Sequence, residues 1–178
     1  PDYERNAGSA YIFERDTSGN WSQVQKIVAN DRQQYDEFGR SVAISGNYAI
    51  VGAHGKDHDA SGNPVEKGEI STFEGSAYIF ERDTSGNWIQ KQKILANDRQ
   101  QNDYFGYSVA ISGNYAIVGA QYEDHDASGN LLRKGAAYIF ERDINGNWSQ
   151  VQKLVANDRQ ENDRFGYSVA ISGNYAIV

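Results

Sequence analysis

Residues Ser41-Val42-Ala43-Ile44-Ser45-Gly46-Asn47-Tyr48-Ala49-Ile50-Val51-Gly52-Ala53 decide the fold. Two short apolar runs of period two flank Gly46-Asn47, a pair that suits the twist of a tight antiparallel hairpin. The same letters return at Ser108–Ala120 and Ser168–Val178. A second hairpin joins Ala77-Tyr78-Ile79-Phe80-Glu81-Arg82 to Trp88-Ile89-Gln90-Lys91-Gln92-Lys93-Ile94-Leu95. Its turn, Asp83-Thr84-Ser85-Gly86-Asn87, has the residues that tight turns select. No segment sustains a helical period. The first hairpin supplies strands a and b, the second strands c and d. Strand a is small and apolar while d carries Gln and Lys, which predicts a sheet with a innermost and d at an outer, solvated edge.

Outward from these hairpins, Gly8–Val51, Gly75–Val118 and Gly135–Val178 are three copies of one 44-residue unit. The first two agree at 38 of 44 positions and the last two at 35 of 44. Linkers 52–74 and 119–134 set the period at 67 and then 60, the difference falling around Glu69–Gly75. Four antiparallel strands in each such period predict an all-β chain, a β-propeller built of four-stranded antiparallel blades, rather than a helical solenoid or a short-period β-helix. Residues 1–178 read as a single repeat array, ordered cd, abcd, abcd, ab. Propellers close with roughly 4–8 blades. Three blade equivalents are therefore expected to be part of a larger propeller, or half of a ring that further copies of the chain complete head to tail.

Composition narrows the function classes. The 178 residues carry 17 Lys+Arg against 24 Asp+Glu, a net charge of −7, and neither Cys nor Met. An acidic chain offers no clustered cations for phosphates, so no nucleic acid is expected as a partner. No apolar run approaches the ~20 residues of a membrane span. Disulfides, thiolate metal sites and cysteine nucleophiles are excluded. The absence of an initiator Met and of a signal-like apolar stretch suggests a processed chain or a piece of a longer one.

Asp36-Glu37-Phe38-Gly39-Arg40-Ser41-Val42-Ala43-Ile44-Ser45-Gly46, followed by Ala49-Ile50-Val51-Gly52-Ala53, resembles the FG-GAP repeat. The likeness recurs at Phe105-Gly106 with Gly119-Ala120 and at Phe165-Gly166. That repeat builds the integrin alpha-subunit propeller and many secreted bacterial proteins, and the Tyr-Ile-Phe-Glu-Arg strand and Gly-Asn-Trp turn are closest to the bacterial type. The resemblance implies an extracellular or cell-surface binding or adhesion module. His54 and Gln121 stand where the motif has Pro. The calcium loop that integrin repeats carry between a and b is reduced here to Ser45-Gly46-Asn47 and its copies, too short for the 6–8 oxygen ligands of calcium.

Antiparallel blades send the d–a and b–c connections to one face and the a–b and c–d turns to the other. The first face holds the long loops 30–37, 97–104 and 157–164 (d–a), and 54–74 and 121–134 (b–c). Long loops on a rigid scaffold are where binding concentrates. Around the Phe-Gly corner the copies diverge: Tyr35 against Asn102 and Asn162; Glu37, Tyr104 and Arg164; Arg40, Tyr107 and Tyr167. Tyr35, Glu37, Arg40, Tyr104, Tyr107, Arg164 and Tyr167 form a candidate ligand-binding face, since aromatics and Arg are favoured at interfaces. Drift at solvated loop positions would give the same variation.

In the b–c loops, Asp57, Asp59, Ser61 and Asn63, repeated as Asp124, Asp126, Ser128 and Asn130, have the front-half spacing of an EF-hand-like calcium loop. Gly68 and Gly135 stand where its bidentate Glu belongs, and Asp16-Thr17-Ser18-Gly19-Asn20 uses similar letters merely to turn a hairpin. Calcium and a simple turn both remain open, with no other cofactor indicated. His58 and His125 recur beside carboxylates and could bind a transition metal, though such loop histidines are commonly just solvated. Trp21, Trp88 and Trp148 fit packing at the blade edge, or stacking on sugars. No nucleophile has an adjacent base and orienting group. The sequence thus predicts a non-enzymatic module that presents its long-loop face to a protein or glycan. A structural repeat of a surface assembly or filament is the alternative, and the propeller part of an enzyme-bearing protein the third.

Overall fold

The computed structural model describes residues 5–56, 72–125 and 132–178, and every regular element among them is a β-strand. β1 (Ala10–Arg15) and β2 (Trp21–Ile27) pair as an isolated c–d hairpin. β3 (Val42–Ser45), β4 (Tyr48–Ala53), β5 (Ser76–Arg82) and β6 (Trp88–Ile94) form a four-stranded antiparallel sheet in chain order. β7 (Phe105–Ser112), β8 (Tyr115–Ala120), β9 (Ala136–Arg142) and β10 (Trp148–Leu154) repeat it. β11 (Ala170–Ser172) and β12 (Tyr175–Ile177) close the series as an a–b hairpin. The expected order cd, abcd, abcd, ab is the observed one.

The registers follow the letters. Ser45 faces Tyr48 across the Gly46-Asn47 turn, with φ 58° at Gly46, a value that suits glycine at the first central position. Strands c and d slip by one residue at the same place in every copy, for example at Ile79/Phe80, and this bulge increases local twist. Innermost strands converge, β3 on β7 and β7 on β11, while outer strands β6 and β10 barely meet. The blades therefore radiate from strand a, as a propeller requires.

The core lies between blades. One buried layer joins Ile27 and Ala29 to Val51 and Tyr78, and the next joins Ile50 and Ile79 to Val118 and Tyr138, with aromatic rings of one blade packed together in each layer. Phe38 meets Tyr78 and Phe80 at 5.6 and 6.0 Å, and Phe105 meets Tyr138 and Phe140 at the same two distances. Each such ring contributes about 1.5–3 kcal/mol by leaving water. Trp88 and Trp148 belong to these layers, buried to 7% and 3% exposure, as the packing expectation holds, but Trp21 is 68% exposed.

Strand d is less purely solvated than its letters suggest. Gln25 reaches across to the next blade, accepting from the Trp88 amide (2.7 Å) and donating to the Trp88 carbonyl (2.8 Å). Gln92 does the same to Trp148. The polar outer strand is thus partly a row of clamps between blades.

The Phe-Gly corner and its aromatic–arginine cluster

The long-loop face is built at the corner where strand d of one blade leads to strand a of the next. The amides of Tyr35, Glu37 and Phe38 donate to the carbonyls of Arg5, Asn6 and Ala7, at the end of a b–c connection. The same ladder joins Asn102, Tyr104 and Phe105 to residues 72–74, and Asn162, Arg164 and Phe165 to residues 132–134. Each ends in a parallel bridge, Gly8–Phe38, Gly75–Phe105 and Gly135–Phe165. Both sets of long connections therefore meet on one face. Glycine is demanded here by contact, because a Cβ on Gly75 would collide with the Phe105 carbonyl, and one on Gly52 with that of Gly106 in the next blade.

This corner holds its side-chain bearers in the left-handed region. Glu37, Tyr104 and Arg164 have φ of 54°, 58° and 57°; across the ladder Phe73 and Arg133 have 47° and 56°. Asn accepts that conformation most readily among non-glycine residues, and Asn6, Asn102 and Asn162 do so here. Bulky side chains there carry strain of about 1–2 kcal/mol each. Five of them meet on this face.

Tyr104 stacks with two rings, Phe73 at 5.1 Å and His54 at 5.5 Å, with Tyr122 edge-on at 4.9 Å. His54 Nε2 is 3.3 Å from a Glu37 carboxylate oxygen, and its ring meets Tyr107 at 5.3 Å. Arg40 lies 4.9 Å over the Tyr107 ring and donates to the Tyr107 hydroxyl at 2.8 Å. Tyr107 also touches Tyr167, at 5.1 Å. The hydrogen bond with Tyr167, helped by Arg40, holds the Tyr107 phenol below its usual value against its partial burial. Burial raises that of Tyr104. Arg133 and Arg164 lie 5.5 and 5.2 Å from the Tyr122 ring.

Six of the seven candidates thus fall into one cluster. Tyr35 holds the corresponding corner one blade earlier, its backbone against Gly55. His54, Phe73, Gln121, Tyr122 and Arg133 were not singled out from the sequence for this face. The usable signal was the repeat offset carried into the linkers, which aligns His54 with Gln121, Gly55 with Tyr122, and Asn6 with Phe73 and Arg133.

Beneath the cluster the copies exchange a charge. Lys56, fully buried, donates to Asp36 (2.9 Å) and to the Asp31 carbonyl (2.5 Å). The corresponding residue is Glu123, which accepts from Lys153 at 2.6 Å. Buried Asp103, the counterpart of Asp36, accepts from the Gln100 amide through one oxygen, while the other makes no hydrogen bond and has His125 Nδ1 at 3.9 Å. Burial first, then repulsion from Glu123 and Asp98, pushes its carboxyl up to about 8 despite that hydrogen bond.

Asp57, Asp59, Ser61, Asn63, Asp126, Ser128 and Asn130 lie outside the described residues. Asp124 is engaged by Lys134 at 3.3 Å and Arg159 at 3.8 Å. Among the described residues, no three His, Asp or Glu side chains are arranged to hold a metal ion. In the c–d turns Asp83 accepts from the amides of Ser85 and Asn87, and these bonds hold its carboxyl below the usual range.

Radiating four-stranded blades stitched by Phe-Gly corners define a propeller-repeat protein. FG-GAP repeat matches cover residues 21–80, 88–140 and 148–178, and the chain belongs to that family. No curated protein matches it. No helix among the described residues is long and apolar enough to cross a membrane.

Proposed function

We propose that the protein is a non-enzymatic binding module, outside the cell or at its surface, whose Phe-Gly corner face docks a protein or glycan partner. One observation carries this reading. Bulky side chains occupy left-handed positions where Asn or Gly would sit with less strain, and they converge on one patch. The fold fixes that backbone conformation in every copy but not the bulky side chains placed on it, and strain kept in this way is a signature of recognition sites. The patch needs no cofactor.

The test is a protein and glycan array probed with the whole chain. Tyr104→Ala and Arg164→Ala should each weaken the captured interaction at least about tenfold, the range of interface anchors. Thr17→Ala, on the opposite face, should not. Equal effects would remove the face assignment.

A second reading, a structural repeat completed head to tail, is favoured by the two hairpins. If β12 meets β1 as β4 meets β5, then Tyr175, Ala176 and Ile177 oppose Glu14, Phe13 and Ile12. Exposed Trp21 matches the sites that Gln25 and Gln92 clamp, and Gln152 is the corresponding clamp.

A further inference from the structure

We infer that Arg133 and Arg164, displayed on Tyr122, recognise the carboxylates of an acidic peptide segment. This rests on the corner face being the docking surface and names the chemistry it reads.

The chain has seven more acidic than basic residues, yet no carboxylate pairs with either arginine among the described residues. Both guanidiniums are exposed and share one ring, and the backbone amide of Arg164 donates to the carbonyl of Arg133 at 3.1 Å. Two cations gathered on one ring repel each other, and the ring quadrupole offsets about 0.5–1 kcal/mol of that at an exposed site. A guanidinium packed on a ring has its planar N–H fork oriented in advance, the geometry that a carboxylate meets with two parallel hydrogen bonds. Arg40, by contrast, lies on Tyr107 and already donates to its hydroxyl. Glu37, which belongs to the same cluster, faces His54 Nε2 at 3.3 Å.

The same geometry disfavours other ligands. Tyr104 is already stacked with Phe73 and with His54, and Tyr122 carries the guanidiniums, so these rings offer little free surface for a sugar to stack on. A long polyanion, such as a sulfated polysaccharide, would extend into the field of a chain of charge −7. One or two peptide carboxylates need only the local field, which at physiological salt reaches about 8 Å.

The experiment titrates the 178-residue chain with a labelled peptide carrying paired glutamates, the same peptide with glutamines, and a sulfated polysaccharide. The glutamate peptide should bind at least about tenfold more tightly than the other two, more weakly with added salt. Arg133→Gln with Arg164→Gln should abolish that preference, and the two Lys variants should retain part of it. Equal binding of both peptides, a preference for the polysaccharide, or no peptide binding overturns the inference. If the array still finds a partner sensitive to Tyr104→Ala, only the ligand class has failed. If Tyr104→Ala and Thr17→Ala behave alike there, the docking face itself has failed.

Discussion

At the scale of single residues, the exchange of Lys56 for Glu123 divides two otherwise repeated corners. Lys56→Met leaves buried Asp36 without its ammonium and should destabilise the fold by about 3–5 kcal/mol in denaturant melts. Asp103 lacks that ammonium and holds its proton up to about pH 8. Unfolded, an aspartate releases it near 4. Between these values the folded chain binds one more proton, so this contribution is complete below about pH 4 and is lost as pH rises through about 8. Thermal melts from pH 5 to 9 should show that downward slope, and Asp103→Asn should flatten it. Glu123→Lys should raise the melting temperature at pH 8 by recreating the Lys56–Asp36 pair. A lower one would mean that the two pockets differ by more than their charge.

At the scale of elements, sheets are joined by side chain-to-backbone clamps and by glycine contacts. Gln92→Ala strips both hydrogen bonds from the Trp148 backbone and should lose about 1–3 kcal/mol. Gln152→Ala in the same chain should change stability by less than about 0.5 kcal/mol, as exposed substitutions do. Equal losses would mean that Gln152 clamps Trp21 of another copy, as the head-to-tail reading has it. Gly106→Ala sets a Cβ against the Ser76 carbonyl at φ 89° and should cost several times more than Gly46→Ala, which meets nothing within 4 Å. Much of this level was legible beforehand, because strand, turn and register are local and repeat three times. The clamps were not. A Gln on an outer strand reads as solvated until the neighbouring blade's distance is known.

At the scale of the molecule, β1–β2 and β11–β12 stand as two-stranded sheets beside two four-stranded blades. Denatured mass and native mass on the same material decide how they are completed. A dimer of chains at 19.8 kDa is expected if β12 of one copy pairs with β1 of another, giving six blades. Ala176→Pro should then return it to monomer, since the equivalent Ala49 faces strand c in the alternating ladder and proline cannot donate to it. A larger denatured mass would put the remaining blades in the same chain and end the head-to-tail reading. Chelation should leave the melting temperature unchanged, because Asp124 already has its cations in Lys134 and Arg159. A lowered one would decide the b–c loops for calcium over the simple turn.

The chain's own letters determined the blades: alternation sets the strands, Gly46-Asn47 and Asp83–Asn87 set the turns, and repetition sets the architecture. They also marked Glu37, Tyr104 and Arg164 as changing where the scaffold does not. Only the tertiary structure decided that Phe73, Tyr122 and Arg133 join them, that Trp21 is exposed while Trp88 is buried, and that Glu123 leaves Asp103 without an ammonium. The physical reason is separation along the chain. Hairpins form between neighbours in sequence, so their letters suffice. The corner joins segments about thirty residues apart, and its contents depend on which linker positions the radial packing of blades brings together.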